Sequence, residues 1–153
     1  MDPEMITSLG KIGGALAVTF AAIGSSLGTG AAGMAAIGAW KKCYAQNKMA
    51  PFMLVVFIGA PLSQTVYGFL LQGFIGAAAA KAAEAGVAAY PALIAAGLGG
   101  LAMGASAWMQ GKAGAGASDA LAETGKGFGN YLMALGVIVS VAILVVIFIG
   151  MTI

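Results

Sequence analysis

The chain has 153 residues, of which 61% are hydrophobic and only 8% charged, with a net charge of +2 and no Arg or His. Soluble domains run near roughly 25% charged and 45–50% apolar, so an ordinary water-soluble core is excluded. So small a net charge, with its lysines divided among several connections, does not suggest a nucleic-acid surface, and one cysteine, Cys43, rules out an intrachain disulfide.

The ionisable residues are clustered, leaving runs free of Asp, Glu and Lys at 12–40, 49–80, 85–111 and 127–153. Each exceeds the roughly 20 residues a helix needs to cross the hydrocarbon core. At about 1.5 Å per residue, even the last run spans about 40 Å. The alternation of β-barrel strands is absent, and glycines lie inside the apolar runs as well as between them. Backbone groups in lipid must bond internally, so the fold class is an all-α membrane protein of four transmembrane helices. The opening Met1-Asp2-Pro3-Glu4 is acidic and lacks the basic start of a signal peptide, so the first helix is expected to be retained.

In chain order, the first predicted helix covers 9–40 and carries Gly10-x-x-x-Gly14 and Gly24-x-x-x-Gly28. Small residues at that spacing line one face and admit a close neighbour. Within it, Gly28-Thr29-Gly30-Ala31-Ala32-Gly33 matches the dinucleotide-binding pattern. That pattern needs a preceding strand and a βαβ unit, and here it sits inside a charge-free helix, so close helix packing is the better reading. Trp40, Lys41, Lys42 and Tyr44 read as an interfacial anchor near headgroups.

The second helix, 51–80, is bulky, with Phe52, Phe57, Tyr67, Phe69 and Phe74. Pro61 has no N–H and frees the carbonyl of Phe57 for another donor or a cation. Ser63 and Gln64 follow within a turn, gathering oxygen ligands near mid-membrane. The third helix, 85–118, is again thin, with Gly100-x-x-x-Gly104, and adds Gln110. The fourth, 127–151, is a Val/Ile/Leu-dense run. Both glutamines can serve as ion ligands or as interhelical hydrogen bonds worth about 1 kcal/mol each.

The order thin, bulky, thin, bulky predicts two tandem helical hairpins, 1–80 and 81–153. A ring of copies would place thin helices inside and bulky ones outside, while a compact monomeric bundle fits the composition as well. Lys41, Lys42 and Lys48 are counted with the first connection, and Lys126 together with Lys112 near the end of the third helix with the third, against Lys81 with the second and Lys11 near the start. The bias places connections one and three in the cytoplasm and both termini outside. No His, no Cys pair and no mid-helix carboxylate is present, so no catalytic group is expected.

Together, Gly28-Thr-Gly-Ala-Ala-Gly-Met-Ala-Ala-Ile-Gly-Ala39, Ala60-Pro61-Leu62-Ser63-Gln64-Thr65-Val66-Tyr67-Gly68 and Gln110-Gly111-Lys112 resemble the membrane-ring proteolipid, subunit K, of V/A-type rotary ATPases. The second stretch looks like that family's Pro-x-(Ser/Thr)-Gln-x-x-Tyr-Gly segment. The resemblance implies a homo-oligomeric rotor ring that turns against a stator membrane subunit, with central-stalk subunits as further partners. It implies carriage of Na⁺ or H⁺ across the cell membrane coupled to ATP, with the ATP chemistry on other subunits and no cofactor beyond a bound Na⁺. Its neutral ligands would fall on the carbonyl of Ala60, on Ser63, Gln64 and Gln110, with Tyr67 holding the ionisable side chain. The family's essential glutamate in the fourth helix falls at Val139 here, so this chain is expected to build a ring and to carry ions poorly by that mechanism. The alternatives are a structural oligomeric proteolipid or pore without an ion-binding cycle, and a small membrane enzyme, which lacks a catalytic group.

Overall fold

The computed structural model describes residues 2–153; Met1, the outer end of the first expected hairpin, lies outside the described residues. Helix α1 spans Pro3–Ala45, followed by α2 (Leu54–Gly59), a 3₁₀ turn at Ala60–Leu62, α3 (Ser63–Glu84), α4 (Tyr90–Gly97), α5 (Gly99–Thr124) and α6 (Phe128–Thr152). No strand occurs among the described residues. The helical stretches Pro3–Ala45, Leu54–Glu84, Tyr90–Thr124 and Phe128–Thr152 are each long and apolar enough to cross a membrane, the pattern of a multi-pass membrane protein.

The helix ends depart from the expected boundaries for a physical reason. A run of apolar residues marks hydrocarbon depth, whereas a helix stops where caps and backbone chemistry stop it. Helix α1 starts six residues before the expected Leu9 because Asp2 caps it, its carboxylate accepting the Glu4 N–H at 3.1 Å. Pro3 follows at the first helical position, where a missing N–H costs nothing. Beyond Trp40 the helix continues through Lys41 and Lys42 and ends before Asn47, which has φ 51°. Helix α5 runs past Ser118 to Thr124 and ends on Gly125 at φ 66°, a left-handed conformation that glycine tolerates without a Cβ clash.

Helix α1 is the centre of the packing. It lies most extensively against α5 and next against α3, while α6 covers α5 and touches α3. The α1–α5 seam is made by glycines: a Cβ on Gly24 would collide with the backbone of Gly104, and one on Gly111 with the backbone of Gly28. Gly30 faces open space, so the Gly28–Gly33 motif serves packing through Gly28 and not through every glycine it contains.

Two apolar clusters fill the interior, and each draws on all four long helical stretches. One gathers Ala17, Ala21, Leu71, Ile75, Leu93, Met103, Ala142 and Val146. The other gathers Ala36, Leu54, Phe57, Leu121 and Leu135. The buried polar residues Ser25, Gln64, Ser106 and Gln110, and the Ile138 carbonyl that Ser106 meets, fall between those two clusters in sequence, whereas buried Ser118 lies within the second. The core is therefore layered as apolar, polar, apolar.

Candidate polar site between α3, α5 and α6

The polar layer starts at Pro61. Without a proline N–H the helix cannot keep its regular ladder, and Ala60–Leu62 tightens into the 3₁₀ turn that separates α2 from α3. The buried Pro61 ring sits against α1, where a Cβ on Gly28 would lie 2.9 Å from Pro61 Cβ. The Phe57 carbonyl, expected to be free for a ligand, instead abuts Gly114, whose added Cβ would lie 2.9 Å from it. The carbonyls that join the site are those of Ala60, Leu135 and Ile138.

Ser63 and Gln64 open α3. The Ser63 hydroxyl lies 3.0 Å from both the Ala60 carbonyl and Gln64 Oε1, and donates its one proton between them. Gln64 is fully buried. Its Nε2 donates to Gln110 Oε1 at 2.9 Å and, over a longer 3.4 Å, to Ser106 Oγ. Gln110 Nε2 then donates to the Leu135 carbonyl at 2.9 Å, and Ser106 Oγ to the Ile138 carbonyl at 2.8 Å. One connected network thus ties the α2–α3 break, α5 and α6 together at one depth.

Of the six positions expected to matter, Ala60, Ser63, Gln64 and Gln110 are brought together in that network. Tyr67 lies one turn further along α3, half-buried against the first apolar cluster. Its hydroxyl enters no hydrogen bond among the described residues. Val139 follows Ile138 directly, so it stands at the level of the network on the edge of the buried face of α6, half-buried and without charge. The neighbouring Ser140 hydroxyl turns back to its own helix, donating to the Val137 carbonyl at 2.6 Å.

Ser106 was missed in the sequence reading although a signal was present. It sits four residues before Gln110 and so shares its helix face. The α6 carbonyls of Leu135 and Ile138 carry no sequence signal, because every residue has one. No group of three or more His, Cys, Asp or Glu side chains able to hold a metal occurs among the described residues.

The chemistry of the arrangement is neutral and largely self-satisfied. Gln110 Oε1 accepts from Gln64, and both amide groups donate within the protein. Carboxamides and hydroxyls offer dipoles to a cation but no compensating charge. Comparison with protein-family models and with curated proteins gives no match.

Proposed function

We propose that this chain is a rotor-ring subunit of a V/A-type rotary ATPase or ATP synthase whose own ion pocket lacks its charge. The observation that carries the reading is the network centred on Gln64 and Gln110, which joins Ala60 and Ser63 at the level of Val139. These are the positions that the resemblance assigns to an ion pocket. In this reading many copies form a homo-oligomeric ring in the cell membrane. The ring turns against a stator membrane subunit and drives central-stalk subunits, and both termini lie outside the cytoplasm.

The family's cargo, Na⁺ or H⁺, has no counter-charge here. Moving a cation from water into a low-dielectric interior has an idealised cost of about 20 kcal/mol, and still several kcal/mol after relaxation. A carboxylate beside Gln64 and Gln110 would offset that cost and leave the occupied pocket neutral. Val139 contributes neither charge nor proton, so copies of this chain turn with the ring without carrying an ion themselves.

A second reading, a structural oligomeric proteolipid or pore with no ion-binding cycle, is favoured by the closure of the network on protein groups alone. The deciding experiment measures Na⁺ binding and carbodiimide labelling of the purified oligomer beside Val139→Glu. The rotor reading expects a silent native chain and a Val139→Glu variant that binds Na⁺ and labels in a Na⁺-protected way. Tight Na⁺ binding by the native chain refutes the electrostatic argument. Silence from both forms favours the structural proteolipid, and stoichiometric recovery with stator and stalk subunits excludes it.

A further inference from the structure

We propose that the groove between the end of α3, the start of α4 and the end of α6 holds an anionic phospholipid, with its phosphate on Lys81 and an acyl chain against Phe74. The groove has a volume of about 480 Å³ and a mostly apolar lining that includes Phe74, Ala78, Leu93, Gly150, Thr152 and Ile153. Lys81 is the single charged side chain on its wall and makes no ion pair among the described residues. Glu84, one turn further along, is exposed and lies off the lining.

Depth is the second consideration. Phe74 and Lys81 are seven residues apart on α3, so the ammonium stands about 10 Å above the ring along the helix. The charge is therefore near the end of a long apolar helix and the ring is well inside it, as a headgroup and its chain require. Lys11 on α1 marks the same level, because its neighbour Gly10 packs directly on Ala79 of α3. Gly150 keeps the groove shaped: a Cβ there would lie 2.7 Å from the Phe74 ring and push it across the opening. A free phosphate would leave the apolar wall bare, and a zwitterionic lipid would bring its own ammonium to compete with Lys81 for the phosphate. A second copy of the chain is the competing occupant. This inference requires the chain to span a bilayer, not that it belongs to a rotary machine.

The test is native mass spectrometry of the full purified chain, extracted from vesicles of equal phosphatidylglycerol and phosphatidylcholine. The native chain should retain phosphatidylglycerol over phosphatidylcholine by about fivefold, the worth of one lysine at an anionic surface. Lys81→Gln should remove most of that preference, while Lys48→Gln, at the opposite membrane face, should leave it. Ala77→Trp, which fills the groove from an exposed helix position, should release both lipids with the helical fold intact by circular dichroism. Equal retention of the two lipids by the native chain overturns the proposal, as does an equal loss in Lys48→Gln and Lys81→Gln. So does an Ala77→Trp variant that keeps its lipid, or a native chain that runs as an oligomer without lipid where Ala77→Trp runs as a monomer, which gives the groove to a second copy.

Discussion

The α1–α5 seam and the α3–α5–α6 layer hold the same bundle by different means. At the seam, Gly24 meets Gly104 and Gly28 meets Gly111 backbone to backbone, with no side chain between them. At the layer, side-chain amides and hydroxyls span the gap and end on backbone carbonyls of α6. In lipid no hydrophobic force drives helices together, so association rests on packing and interhelical hydrogen bonds. The seam depends on the absence of atoms, and the layer on the presence of particular ones. A shape-based contact tolerates no addition, whereas a hydrogen-bonded one tolerates no unmatched removal.

The sharpest way to break that contrast is Gly24→Leu. Its side chain has nowhere to go but into the Gly104 backbone, and overpacking of this kind costs about 3 kcal/mol or more. Thermal unfolding in detergent should show a fold that is lost or sharply destabilised, while Gly30→Ala, on the same helix but facing open space, should unfold like the native chain. An unaffected Gly24→Leu would mean that the seam opens freely.

At the layer the effect is smaller and pairwise. Gln64→Leu and Gln110→Leu should each lower stability by about 1–2 kcal/mol, since each strands a buried partner. The double variant should cost less than the sum, with a coupling of roughly 1 kcal/mol measured by a double-mutant cycle. Strict additivity would show that the 2.9 Å amide contact contributes nothing beyond its separate parts.

Smallest, and opposite in sign, is Ser25→Ala. Ser25 lies on α1 and is 2% exposed, and its hydroxyl has no hydrogen-bond partner among the described residues. Removing an unpaired buried hydroxyl should raise stability by about 1 kcal/mol. A loss of that size would reveal a partner and join Ser25 to the hydrogen-bonded network.

Much of the fold could be read from the residues in order. The charge-free runs located four helices long enough to cross a membrane, and the Gly-x-x-x-Gly spacing located faces that do approach closely at Gly10, Gly14, Gly24, Gly28, Gly100 and Gly104. Asp2-Pro3 carried the signal for the true start of α1, but hydropathy weighs such residues only as polar. For the site, Ser63, Gln64 and Gln110 stood out because a polar amide or hydroxyl inside an apolar run must find a partner. Ser106 did not, since a lone serine in a helix can bond back to its own turn.

What the chain determines by itself is therefore one-dimensional: where apolar length suffices for a bilayer, where glycine leaves a smooth face, where Pro61 breaks a helix, and that no charge exists in the fourth apolar run. Tertiary structure decided the pairings. It set the Phe57 carbonyl against Gly114, closed Gln64 onto Gln110, and chose the carbonyls of Leu135 and Ile138 as the network's end points. The physical reason is that a backbone carbonyl is the same at every position. Only the distance and rotation of one helix against another single out which carbonyl a buried amide will meet.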